Sequence, residues 1–334
     1  MNIGILMPKN HSAYNLFLRP GAIKALESLG TLTWNEGTYA PENIIPIINN
    51  SDIVVTGWGV PKLDENLLAQ ASKLKLIVHT GGSVAGLVSD YMFDRGIRVI
   101  SGNNVYAESV AEGTVAYIMA ALRRIPEFNT QMQNGNWVTL QAGVNRGLLD
   151  KTVGLLGFGA IARFLAPMLV PFRCKVQAYD PFVPDEIFDS LGVTRVASIE
   201  ELFAANEIVS VHLPMQPETN NLINKKVLAC MQDGALLINT ARANCIVDED
   251  LVAELKTGRI SAVLDVYKQE PLPEGSPLRG MDNCILMPHH GGPTVDRSEY
   301  VTLSLAEDIK RFKAGEALLH EIPKEYAVKM TKES

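Results

Sequence analysis

An arginine, a glutamate and a histidine each follow an apolar run that reads as a buried strand: Arg242 closes ALLINTAR, Glu270 closes SAVLDVYKQE and His289 closes CILMPH. Together these types suit hydride reduction of a carbonyl beside a carboxylate. A guanidinium carries a permanent charge and grips a carboxylate through two parallel hydrogen bonds, which a lysine ammonium does not. An imidazole changes protonation near neutral pH, and an adjacent carboxylate favours its charged form, so a proton is at hand. Taken singly, each has an ordinary alternative: Arg242 as a surface residue at a helix start, Glu270 as a solvated acid before Pro271, and His289 with His290 as a loop holding one packed and one solvated ring. Coincidence of all three is the weaker reading.

A second signal lies in TVGLLGFGAIARF. Gly157 permits a tight turn, Gly159 lets backbone approach a pyrophosphate, and small Ala162 lets a helix pack closely on a strand. Asp180 ends the next apolar run, VQAYD, where a carboxylate accepts hydrogen bonds from a ribose diol and repels a 2′-phosphate. Pro181 and Phe182 supply no cation, so NAD is favoured over NADP. Alone, Asp180 has an ordinary alternative as a surface acid starting a turn before Pro181.

Something must bring these groups together. Short β-rich runs alternate with helical segments, the pattern of parallel sheets covered on both faces. The first series is Ile3 to Met7, Thr31 to Trp34, Asp52 to Gly57, Leu74 to His79 and Ile97 to Ser101, with helices at Pro20 to Leu29 and Asp64 to Ser72. A long helix follows from Ala107 to Arg124, closing at Pro126, and then a polar, irregular stretch from Asn129 to Asp150. Six strands complete the second series: Thr152 to Leu156, Lys175 to Tyr179, Ile208 to His212, Ala235 to Asn239, Ser261 to Val266 and Asn283 to Met287. In a parallel sheet all carboxyl ends lie along one rim, where ligands bind. That rim would carry His212, Thr240, Ala241, Arg242, Asp265, Glu270 and His289. The last helix, Val295 to Lys313, would fold back on the first series.

Bulk properties limit the partners. A chain of 334 residues is long enough to split into two domains. Its net charge of −7, with no run of Lys or Arg, leaves no footprint for nucleic acid or an anionic membrane, so small molecules are expected. Four scattered cysteines show neither a disulfide framework nor metal spacing, which fits a reduced, cytoplasmic setting and no metal site. The opening MNIGILMPKN reads as a strand, not a signal peptide, and Thr152 to Phe172 as strand, turn and helix, not a membrane span.

The blocks GLLGFGAIA, VHLPMQPETNNLI, MQDGALLINTARANCIVDEDLVAELKTGRISAVLDVYKQEPLP and MPHHGG resemble the D-isomer-specific 2-hydroxyacid dehydrogenase family. The resemblance covers the second series and, through VAEGTVAYIMAALRRIP, the bridging helix. It implies an α/β protein of two doubly wound parallel-sheet domains with a cleft between them: a flavodoxin-like substrate-binding domain (1–104 plus 295–334) and a Rossmann NAD-binding domain (105–294). It implies that Arg242 binds the 2-oxo acid, His289 is the general acid/base and Glu270 pairs with it. Phe158, Gly159, Ala160 and Ile161 would hold the pyrophosphate and Asp180 the adenosine ribose. His212 and Pro214, with Thr240 and Ala241, would line the dinucleotide, while Asp265 orients the nicotinamide amide and Gly291 and Gly292 let backbone pass close to it. Gly82, Ser83 and Val84, ahead of a helix, would offer amides to the substrate carboxylate. His290 would point away from His289, since successive side chains of an extended segment alternate. The implied protein is a cytoplasmic homodimer that interconverts a 2-oxo acid and a D-2-hydroxy acid. Two alternatives share the fold: an NAD-sensing regulator of the corepressor type, and a relative that oxidises formate. The loop HTGGSVAGLVSD lacks the family's usual aspartate, and Gly113 stands where histidine is common, so the acid itself stays open.

Overall fold

A computed structural model describes residues 1–139 and 145–331. The chain divides into two compact units, Met1–Tyr106 together with the chain from Pro293, and Ala107–Gly292.

The first unit is a five-stranded parallel sheet of β1 (Asn2–Ile5), β2 (Thr31–Trp34), β3 (Ile53–Thr56), β4 (Leu76–His79) and β5 (Arg98–Ser101), in the order β2-β1-β3-β4-β5. This is the flavodoxin-like order. Every residue of β3 and β4 is buried, as strands covered on both faces require. Alternation sends Ile53 and Val55 into one core with Phe17 and Leu26, and Val54 into another with Ile44 and Leu67. The helix Ser298–Ala314 belongs to the first of these cores through Val301, Leu305 and Ile309. Its Glu299 accepts the Ala22 amide at 2.9 Å, capping the helix Pro20–Glu27.

The second unit is a seven-stranded parallel sheet: β6 (Thr152–Leu156), β7 (Lys175–Tyr179), β8 (Thr194–Arg195), β9 (Ile208–Val211), β10 (Leu236–Asn239), β11 (Ser261–Leu264) and β12 (Cys284–Leu286), ordered β12-β11-β10-β9-β6-β7-β8. The direction of winding reverses at β6, the switch point at which doubly wound sheets bind dinucleotides. The expected six strands are corrected to seven. β8 is a two-residue edge strand with both residues exposed, too short for any periodicity to betray it.

Two further differences concern helices. The long helix runs Asn103–Leu122, and a second, Ile125–Gln133, occupies part of the stretch read as irregular. Pro126 does not close the first helix; it sits in the opening turn of the second, where its missing N–H has no intrahelical partner to lose. Residues 140–144 of that stretch lie outside the described residues. The apolar segment from Thr152 resolves into β6, the helix Ala160–Leu169 and a short 3-10 turn Val170–Phe172. Among the described residues no helix is long and apolar enough to cross a membrane.

Candidate active site

The parallel register of the second sheet puts the carboxyl ends of β6, β7 and β9 to β12 on one rim. Gly157, just after β6, has φ +89°, and a Cβ there would lie 2.8 Å from the His212 carbonyl oxygen. Only glycine fits that turn. Gly159 caps the helix Ala160–Leu169, and a Cβ built on it would meet nothing within 4 Å, so the space before the helix is open. Ala160 and Ile161 open that helix, whose first-turn amides lack intrahelical partners and suit an anion. Ala162 is fully buried, as close helix-to-strand packing demands. These residues fit a pyrophosphate.

Phe158 plays another part. Its ring is fully buried and stacked on Phe188 at 4.6 Å, and its amide donates to Asp180 Oδ2 at 2.9 Å. Asp180 Oδ1 accepts the Phe182 amide, also at 2.9 Å. The carboxylate therefore ties the glycine turn to the end of β7, which aims it along the rim. Arg195 reaches the Asp180 carbonyl at 3.1 Å, so a cation does stand nearby, although it is paired with Asp185. Sequence reading missed it because it comes from β8.

After β9, His212 is 8% exposed, and among the described residues neither ring nitrogen has a hydrogen-bond partner. Burial pushes its pKa down to about 3, so the ring is neutral. Unpaired buried nitrogens are costly, which favours a polar ligand beside them. The Pro214 carbonyl accepts the Thr219 hydroxyl at 2.7 Å, bracing the following loop.

After β10, the nearly buried Asn239 shapes the turn: its Oδ1 accepts the Ala241 amide and its Nδ2 donates to the Arg242 carbonyl, both at 3.1 Å. Thr240 meets Thr114 hydroxyl to hydroxyl at 3.3 Å. Arg242 is partly exposed, and its Nη1 donates to the Ala241 carbonyl at 2.7 Å. After β11, Glu270 is fixed at both oxygens: Oε1 accepts the Tyr267 amide at 2.9 Å, and Oε2 lies 2.8 Å from His289 Nδ1. Burial opposes ionisation of Glu270, but the bonds from His289 and Tyr267 and the charges of His289 and Arg242 outweigh it, holding the carboxyl below its usual range. Glu270 and His289 are thus in direct contact, with His289 half exposed, and Arg242 is near enough for its charge to act on Glu270. The Tyr267 hydroxyl, 2.9 Å from both the Leu264 and Met287 carbonyl oxygens, clasps the ends of β11 and β12.

His289 has φ +58°, so the segment is not extended there and the alternation argument for His290 fails. A left-handed residue turns the chain, and the next amides point inward. They find Asp265, 1% exposed, whose two oxygens accept the His290 and Gly291 amides at 2.9 and 2.7 Å. Asp265 therefore anchors the histidine loop, a role its sequence context did not suggest. Gly291 is buried and Gly292 partly so.

Gly82, Ser83 and Val84 lie in the first unit, after β4. They do not precede a helix directly; the next one is Asp90–Asp94, so no helix terminus reinforces their amides. Val84 is a core residue, the Gly82 carbonyl accepts the Ser101 hydroxyl at 2.9 Å, and the Ser83 hydroxyl donates to the Thr331 carbonyl at 2.5 Å.

Known proteins resemble this chain in sequence and in fold. Residues 115–291 match the NAD binding domain of the D-isomer specific 2-hydroxyacid dehydrogenases. The chain is 32% identical over 301 residues to a D-3-phosphoglycerate dehydrogenase of Methanocaldococcus jannaschii, covering 90% of this chain and 56% of that protein. It is 30% identical over 271 residues to a hydroxypyruvate reductase of Thermotoga maritima, covering 80% and 87%. The chain spans about half the length of the D-3-phosphoglycerate dehydrogenases it matches. A crystal structure of a phosphoglycerate oxidoreductase from Rhizobium etli shares the fold, with a TM-score of 0.83 at 23% identity over 97% of this chain and 99% of that one. On the glycine turn, the rim and the matched domain together, the chain belongs to the D-isomer specific 2-hydroxyacid dehydrogenase family.

Proposed function

We propose that the protein is an NAD-dependent oxidoreductase that interconverts a 2-oxo acid and a D-2-hydroxy acid. The observation that carries this reading is the 2.8 Å bond between His289 Nδ1 and Glu270 Oε2, on the same rim as the glycine turn. With Nδ1 committed to the carboxylate, Nε2 is the nitrogen that meets the substrate oxygen. Glu270 holds the ring in place while the proton is passed to the substrate oxygen. Arg242 binds the substrate carboxylate and polarises the adjacent carbonyl. The amides of Ala160 and Ile161 hold the pyrophosphate, Asp180 faces the adenosine ribose, and His212, Thr240 and Ala241 line the rest of the dinucleotide. NADH, when bound, supplies the hydride.

The relatives' names direct the first substrates to try. The purified chain is mixed with NADH and a panel of 2-oxo acids that includes hydroxypyruvate, and with NAD and D-3-phosphoglycerate, while absorbance of the reduced nicotinamide is followed. Turnover of at least one acid is expected, with one product enantiomer. No turnover on any member would sink the proposal.

A further inference from the structure

We propose that Gly113 and Asp265 form a two-sided seat for the loop that carries His289, and that Gly113 is a positioning residue for the imidazole. This rests on the dehydrogenase reading above. Gly113 lies within the helix Asn103–Leu122. A Cβ built on it would come 3.0 Å from the Gly291 carbonyl oxygen, 3.5 Å from its Cα and 3.6 Å from its carbonyl carbon. All three are backbone atoms of the loop, so no side chain can swing aside to make room.

The opposite side of the loop is equally closed. Asp265 takes the amides of His290 and Gly291, and a Cβ on Gly291 would lie 2.8 Å from Asp265 Oδ2 and 3.8 Å from the Thr240 methyl. Pushed from the helix, Gly291 cannot retreat without breaking those bonds. The displacement is relayed instead to His289, two residues back, whose left-handed backbone is the turning point of the loop. Its ring would then slip relative to Glu270. In this chain, unlike relatives with histidine there, the helix carries a poor helix former at Gly113 and the loop occupies the space a side chain would fill.

The test compares Gly113→Ala and Asp265→Asn with the wild type. Alanine is the better helix residue, so G113A should melt at or near the wild-type temperature, while kcat falls on the order of tenfold to a hundredfold and KM for NADH hardly moves. In D265N the carboxamide can accept one amide but turns an N–H toward the other, and kcat should fall likewise. Ring nitrogen resonances of His289, assigned with His289→Asn in ¹⁵N-histidine-labelled protein, should move in both variants toward their positions in Glu270→Gln. Wild-type kcat with unmoved His289 resonances in both variants would overturn the proposal. If the wild type reduces no 2-oxo acid, the dehydrogenase reading fails, and the resonances alone then decide whether the seat exists.

Discussion

His79 and His289 occupy similar places in the two sheets, each at or just beyond the carboxyl end of a parallel strand, yet their surroundings are opposite. His79 is 4% exposed, its Nδ1 is 2.9 Å from the Thr56 hydroxyl, and burial pushes its pKa down to about 4. A Cβ on Gly81 would lie 2.4 Å from its Nε2, so the ring is walled in by the chain that follows. His289 is half exposed and bonded to a carboxylate. An imidazole sealed beside a hydroxyl stays neutral and serves packing, whereas one that meets solvent and is held by a fixed carboxylate is open to a ligand. Strand-end position alone does not make a histidine catalytic.

The comparison predicts a separation of effects. His289→Asn should lower turnover by roughly 10²–10⁴ while NADH binding, read by fluorescence titration, is retained; near-normal turnover would remove His289 from the chemistry. Arg242→Lys keeps the charge but loses the paired geometry, and should lower kcat/KM by roughly 10–100-fold, mainly through substrate rather than NADH. His79→Gln should act on the other quantity, lowering stability in urea unfolding by about 1–3 kcal/mol, because the buried Thr56 hydroxyl loses a well-fitted partner. Stability unchanged by H79Q would mean that the buried ring contributes nothing.

A further effect is on pH dependence. His79 and His212 titrate at about 4 and 3 in the fold, against 6.5 when unfolded. As pH drops below 6.5 the unfolded chain takes up protons that the fold refuses, so stability should decline from there toward pH 4. Glu270, held below its usual 4.5, contributes stability present above that value and lost only beneath it. Unfolding midpoints measured between pH 7.5 and 5 therefore isolate the histidines, and H79Q should flatten the decline.

Much of this layout was legible in the residues. Strands such as Ile53–Thr56, Leu76–His79 and Ile208–Val211 fall inside the expected runs, because a strand buried on both faces must be largely apolar. Gly157, Ala162 and the sequence positions of Arg242, Glu270 and His289 were equally readable, since the turn chemistry and the strand ends are local properties. Hidden features depend on residues distant in the chain. Arg195 comes to Asp180 from an edge strand of two residues, and Tyr267 reaches the Met287 carbonyl to clasp two strand ends.

The sequence by itself determined the alternation of strands and helices, the glycine turn and which side chains follow which strand, because periodicity and backbone freedom are written residue by residue. Only the tertiary structure decided the left-handed turn at His289, the burial of Asp265 against its loop and the closeness of that loop to Gly113. The last two are meetings of segments far apart along the chain, and such meetings are set by packing as a whole.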